Sequence, residues 1–141
     1  MKIIVYNYKG TVATLMPSPE WRGTLEDLGK KDVPEGCEWY IIDNEKLPDP
    51  FFRNCWTLSN GSVKIDIKKA KELKRNQFRV ARAPIMSALD RDFIRALESG
   101  DVKEQKKIVA KKNKLRDITK TKLPSNIQKL KELWPDVLNN A

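Results

Sequence analysis

The sequence predicts an α+β fold: a small N-terminal antiparallel β-sheet of about five strands, followed by a C-terminal helical hairpin and a short terminal helix. Three observations carry this reading. The apolar period switches from two residues to 3.6 at Asp66. Before that point, glycine-containing turns such as Ser59-Asn60-Gly61 separate short runs rich in β-branched and aromatic residues. After it, Ser99-Gly100-Asp101 separates two amphipathic helical patterns. The chain divides accordingly into a β-rich N-terminal domain, residues 1–66, and a basic helical region, residues 67–141.

In order, Lys2–Tyr6 reads as a strand, Asn7-Tyr8-Lys9-Gly10 as a turn, and Thr11–Met16 as the returning strand. Pro17 and Pro19 close it, because proline donates nothing to a ladder. Thr24–Gly29 suggests a short helix with Thr24 as N-cap and Asp27 three residues on. Lys30–Gly36 reads as a loop, Cys37–Asp43 as a strand, and Asn44–Phe52 as a connection. Asn54–Leu58 and Ser62–Ile65 then form a hairpin, so all five strands are expected in one sheet.

Asp66 suits the N-cap of a long helix whose apolar stripe is Ile67, Ala70, Leu73, Gln77, Val80 and Ala81. Pro84 is expected to break or bend that helix near residues 82–85. Ile85, Met86, Leu89, Phe93, Ala96 and Leu97 continue on one stripe. Gly100 supplies a left-handed C-cap, and Asp101 with Glu104 supplies a capping box for the next helix. In that helix Val102, Ile108, Val109, Leu115 and Ile118 form the apolar side. The loop is so short that the two helices must be antiparallel neighbours, with Leu89, Phe93 and Leu97 against Val102, Ile108, Val109 or Leu115. Pro124-Ser125 opens a last helix with Ile127, Leu130, Leu133 and Trp134 on one side. Pro135 stops it, and Asp136–Ala141 reads as a tail.

Composition narrows the function. The chain has 141 residues, two cysteines and no histidine. It therefore lacks the commonest general base and the commonest zinc ligand. It contains no phosphate loop, nucleophile elbow or Cys/His metal spacing. Asp90 and Asp92, two apart on a helix, point to different faces and read as solvated. We expect no catalytic, cofactor-binding or metal-binding residue, and no enzyme. Cys37 and Cys55 are expected as reduced thiols, since the short apolar run after Met1 is too short for a signal-peptide core. No apolar run reaches membrane-spanning length. Trp21, Trp39 and Trp56 are expected to pack in a core or an interface.

Formal net charge is +9. Residues 1–65 carry 8 Lys+Arg against 9 Asp+Glu, and residues 66–141 carry 20 against 10. The surplus lies on the helical half, which fits either an acidic partner or the ordinary lysine-rich surface of polar helices. Lys68, Lys69, Lys71, Lys74, Arg75, Arg79 and Arg82 form the expected basic surface. These positions spread around the helix, and no helix-turn-helix, zinc-finger or RNP motif accompanies them. Nucleic acid is the second-choice partner.

Several stretches resemble tailed-phage tail fibre assembly chaperones and related small phage tail assembly proteins. They are Arg79 and Arg82 before Pro84-Ile85, Leu89-Asp90, Leu115-Arg116-Asp117-Ile118 and Trp134-Pro135. In the first half they are Lys2–Tyr6, Pro17–Glu20, Lys31–Pro34 and Phe52–Trp56. Where members of that group carry a Trp-x-x-Tyr pattern, this chain has Lys111-Lys112-Asn113-Lys114. The resemblance implies a non-enzymatic, chaperone-like protein that binds a phage tail or tail fibre protein. It would work in the host cytoplasm during assembly, or remain in the virion tail. The candidate partner-binding residues are Leu89, Phe93, Leu97 and Trp134.

Overall fold

The computed structural model describes residues 1–139. It forms two compact units, residues 1–70 and residues 71–141. Antiparallel strands with one short helix among them precede the longer helices, which is the expected α+β arrangement.

In the first unit, β1 (Lys2–Tyr8), β2 (Thr11–Leu15) and β3 (Trp39–Asp43) make a three-stranded antiparallel sheet in the order β2-β1-β3. Central β1 explains its own composition. Ile3 and Val5 pack on one face with Val12, Trp56 and Val63, while Ile4 packs on the other with Leu28 and Val33. A strand covered on both faces reads as an unbroken apolar run, here Ile-Ile-Val, not as an alternation. Helix α1 (Leu25–Asp32) brings Leu28 to one face. The ribbon of β4 (Trp56–Ser59) and β5 (Ser62–Ile65) brings Trp56 and Val63 to the other.

That ribbon corrects the expectation of one five-stranded sheet: among the described residues, β4 and β5 pair only with each other. Short 3₁₀ turns at Asn44–Lys46 and Pro50–Cys55 carry the chain off the edge of β3. The alternate apolar residues of the ribbon then bury face-on against β1 instead of extending its ladder. The second 3₁₀ turn also delays β4 to Trp56. Its Phe52 is fully buried. The third strand likewise starts later than expected, at Trp39 instead of Cys37. Both hairpin turns have two residues with positive φ, Lys9-Gly10 (49° and 79°) and Asn60-Gly61 (49° and 78°). This is the mirror-image turn whose twist suits paired strands. The first is tighter than expected, because β1 continues through Tyr8.

Helix α1 has the anticipated capping box. Thr24 Oγ1 accepts from the Asp27 amide at 3.1 Å, and Asp27 Oδ2 accepts from the Thr24 amide at 3.3 Å. These bonds hold the Asp27 carboxyl below its ordinary pKa. The helix does not end at Gly29, however. Gly29 is buried against the Trp39 ring, where a Cβ would lie 2.7 Å from Cη2. This glycine permits close helix–sheet packing and terminates nothing.

Asp66 caps α2 (Ile67–Glu98), accepting from the amides of Lys68 and Lys69 at 3.0 and 3.3 Å. The break expected at Pro84 does not occur: α2 continues through it as one helix. The missing hydrogen bond concerns the carbonyl of Val80, whose side chain is 75% exposed. On that outer side solvent can satisfy the carbonyl, while the inner side stays packed. The expected stripe was out of phase there: Val80 faces outward, and Phe78 is fully buried.

In the second unit, Gly100 takes φ 71° after α2. The Asp101 amide donates to Ala96 O at 2.9 Å and the Gly100 amide to Leu97 O at 3.2 Å. This pair of bonds is a Schellman motif. Helix α3 (Val102–Asp117) follows, with Asp101 Oδ1 accepting from the Glu104 amide at 3.0 Å. Helix α4 (Ile127–Glu132) is capped by Asn126 and starts two residues after Ser125. It ends before Leu133 and Trp134, which the sequence had placed on it. Pro135 disfavours helical geometry at the residue before it. Part of the expected tail is a 3₁₀ turn, Asp136–Asn139, with Leu138 buried. Residues 140–141 lie outside the described residues.

The Gly29–Trp39 contact makes a specific prediction. Gly29→Ala should lower unfolding stability by about 1–3 kcal/mol, the usual cost of overpacking. An unchanged urea midpoint would show that the Trp39 ring swings aside freely.

Candidate binding surface

The seam of the hairpin fixes which side chains are available. Going up α2, the partners on α3 run backwards. Arg82 meets Leu115, Arg116 and, just past the end of α3, Thr119; Asp90 meets Lys112, and Ala96 meets Gln105. Phe93 lies half-buried under the Lys112 ammonium, 5.8 Å from ring centroid to Nζ. Ala96, Ile108 and Leu115 are the buried apolar residues of this seam.

The basic residues expected on the surface divide sharply. Lys74 is only 2% exposed. Its Nζ donates to Lys131 O at 3.3 Å, near the C-terminal end of α4, and lies 5.5 Å from the Phe78 ring and 5.8 Å from the Trp134 ring. Burial pushes its pKa down. Arg82 Nη1 donates to the carbonyls of Leu115 and Arg116, at 3.0 and 3.2 Å, closing the C-terminus of α3. Both cations are structural, and Lys74 is not a surface residue. A guanidinium or ammonium suits a helix C-terminus, where carbonyls lack partners and the dipole is negative.

Arg79 and Arg75 both approach Glu72, at 2.8 and 4.0 Å, and Lys71 donates to Ser125 Oγ at 3.1 Å. The Arg79 guanidinium holds the Glu72 carboxyl below its ordinary pKa. Lys68 and Lys69 are exposed at the start of α2, in the first unit.

The four candidate apolar residues also separate. Leu89 and Phe93 are half-buried on the seam. Trp134 is 41% exposed and stands edge-on to Phe78, with 5.8 Å between centroids. Leu97 is 58% exposed, so it does not pack as expected; Val102 (58%) and Val109 (43%) do not either, and Ile94 (55%) joins them. The reason is helical phase, at about 100° per residue. The seam centre passes through Leu89 and Phe93 on α2, and through Gln105, Ile108, Lys112 and Leu115 on α3. Leu97, Ile94, Val102 and Val109 lie beyond it in the same rotational sense. In an antiparallel pair, equal rotation on both helices reaches the same face. The hairpin therefore presents one exposed apolar edge, Ile94-Leu97-Val102-Val109, on the side of the Asp90–Lys112 ion pair.

The opposite side of the seam holds a groove of about 330 Å³. It is lined by Ile85, Leu89, Lys111, Lys114, Leu115 and Val137. Lys103, Lys107, Lys111 and Lys114 follow one another at four-, four- and three-residue steps along α3, all exposed. This column lies outside the basic surface expected from the sequence, whose residues are all on α2. The spacing was visible in Lys103-x₃-Lys107-x₃-Lys111-x₂-Lys114. Residues 71–141 hold 18 Lys+Arg against 9 Asp+Glu, and residues 1–70 hold ten of each. Among the described residues, no group of three or more His, Cys, Asp or Glu is placed to hold a metal ion, and no helix is long and apolar enough to cross a membrane.

Two measurements check the structural cations. Arg82→Ala should cost about 2 kcal/mol, as expected for hydrogen bonds to a charged group. An unaltered unfolding midpoint would show that α3 closes without it. For Lys74 the sign follows from its lowered pKa. Between that value and the ordinary lysine value, the unfolded chain binds more protons than the folded one, so the site's contribution to stability rises with pH. The stability of the parent relative to Lys74→Met should therefore climb through that alkaline window. A pH-independent difference would show that the ammonium is not desolvated.

No family model, curated protein or solved structure matches this chain.

Proposed function

We propose that this chain is a non-enzymatic protein-binding factor acting through its helical hairpin. In line with the resemblance, we propose that its partner is a phage tail or tail fibre protein, met in the host cytoplasm during assembly or retained in the virion tail. The observation that supports this reading is the exposed edge of Ile94, Leu97, Val102 and Val109. Single exposed apolar residues are ordinary on a protein surface, but a contiguous face of them marks an interaction site. Unpaired strands of a slow-folding β-rich partner are the kind of surface such an edge would shield.

The competing reading is nucleic-acid binding, favoured by the lysine column on α3. Its four ammoniums span about 16 Å at 1.5 Å per residue, long enough to follow several phosphates. The two readings differ in salt dependence. Apolar contact survives screening, whereas six to ten phosphate contacts lose about 10³–10⁵-fold in affinity between roughly 50 and 200 mM salt.

The test is co-purification with tail proteins from infected or co-expressing cells, with nuclease present. A tail protein should remain bound at 200 mM salt and be lost with Leu97→Ser combined with Val102→Ser. Both positions are exposed, so the double variant should fold like the parent. Loss of every co-purifying protein when nuclease is present, with recovery restored in a parallel nuclease-free preparation and unaffected by those substitutions, would reject the proposal.

A further inference from the structure

We propose that the groove between α2, α3 and the terminal 3₁₀ turn takes an acidic segment of the protein partner, with one aliphatic or aromatic side chain inside and carboxylates on Lys111 and Lys114. This inference rests on the reading that the partner is a protein, and it names the chemistry that would be recognised.

The groove has two chemically distinct parts. Its floor is aliphatic: Ile85 and Leu89 come from α2, Leu115 from α3, and Val137 from the terminal turn. Three separate segments thus build one concavity. A volume of about 330 Å³ is at the small end of ligand pockets, and it suits one large apolar side chain better than an extended ligand. The rim is cationic. Lys111 and Lys114 are three residues apart on α3, so their Cβ atoms are neighbours, about 5–6 Å apart. Their stems can lie along the apolar wall while their ammoniums stay at the mouth. Neither forms an ion pair among the described residues, in contrast to Lys112, which is engaged by Asp90.

Charge complementarity selects the occupant. Residues 71–141 carry twice as many cationic as anionic side chains. A second copy would bring the same surplus against this rim, and like charges in register disfavour that pairing. A sugar–phosphate backbone could meet the lysines but would leave the aliphatic floor unfilled. An acidic polypeptide with regularly spaced leucine or phenylalanine satisfies both parts, in the manner of an amphipathic segment docking in a groove.

The experiment uses the full chain, labelled with ¹⁵N, and short peptides capped at both ends. The acidic probe repeats Glu-Glu-Leu. Its controls repeat Lys-Lys-Leu and Glu-Glu-Ser. The acidic leucine peptide should shift the amides of Ile85, Leu89, Lys111, Lys114, Leu115 and Val137, and neither control should do so. Lys111→Gln with Lys114→Gln should weaken that binding about fivefold, the sum of two modest exposed ion pairs. Circular dichroism of the variant guards against a folding defect. Equal binding of the Lys-Lys-Leu peptide would overturn the inference. Shifts confined to Ile94, Leu97, Val102 and Val109 would also overturn it, while leaving the protein-binding reading intact. A single-stranded oligonucleotide that shifts the lysine amides and competes the peptide off at 200 mM salt would overturn both.

Discussion

A ridge of three residues on one helix, Lys74, Phe78 and Arg82, fixes the helical unit. They follow at four-residue steps, so they form one continuous row on α2. Phe78 is fully buried at its centre and meets Trp134 edge-on. On either side a cation reaches the C-terminal carbonyls of a different helix: Lys74 reaches Lys131 O in α4, and Arg82 reaches Leu115 O and Arg116 O in α3. Short helices depend on such closure, because their unpaired carbonyls are a large fraction of their backbone. The same row positions α3 beside α2, so the exposed edge and the groove both follow from it. The continuity of α2 through Pro84 has its reason here as well. Packing before and after the proline holds the helix at a local cost of about 3 kcal/mol.

Most of the local structure was legible in the sequence, because its signals are local. Thr24 with Asp27, Asp66 before Ile67, Asn60-Gly61, and Gly100-Asp101 all lie where their chemistry requires. What escaped the sequence depends on distant neighbours. The first helix extends past Gly29, and nothing near that glycine in the sequence announces the Trp39 ring against it. The ribbon β4–β5 looked like two more strands of one sheet because alternation is the same for edge pairing and for face packing. Cations are read as solvated by default, so Lys74 and Arg82 read as surface residues, although Lys74 is buried and Arg82 closes the C-terminus of α3. The candidate site was half legible for a related reason. Leu89 and Leu97 share an apolar pattern, but only the position of α3 decides that the first lines a groove and the second faces outward.

The charge of the helical unit consequently has a different address from the one composition suggests. On α2, Lys74 is buried, Arg82 is half-buried and occupied with the carbonyls of Leu115 and Arg116, and Glu72 engages both Arg75 and Arg79. On α3, Lys103, Lys107, Lys111 and Lys114 remain exposed in a column, with Lys106 also exposed. Net charge alone would suit any polyanion. A column flanked on one side by an aliphatic groove and backed by an apolar edge is more selective, because it couples electrostatic attraction to a surface that must be dried.

That coupling separates two roles. Exposed lysines contribute little to equilibrium affinity, since their ion pairs are screened and entropically expensive. They act at long range instead, raising the encounter rate with an acidic partner and opposing approach by another copy of the same positive surface. Apolar contacts act only at short range, and their burial at about 25 cal/mol per Å² sets how long an encounter lasts. An apolar edge on an uncharged hairpin would meet its own copies as readily as any partner. Placed on a unit with 18 cationic and 9 anionic side chains, the same edge favours acidic surfaces over self-association. The positive charge therefore governs which surface arrives, and the hairpin's apolar residues govern whether it stays.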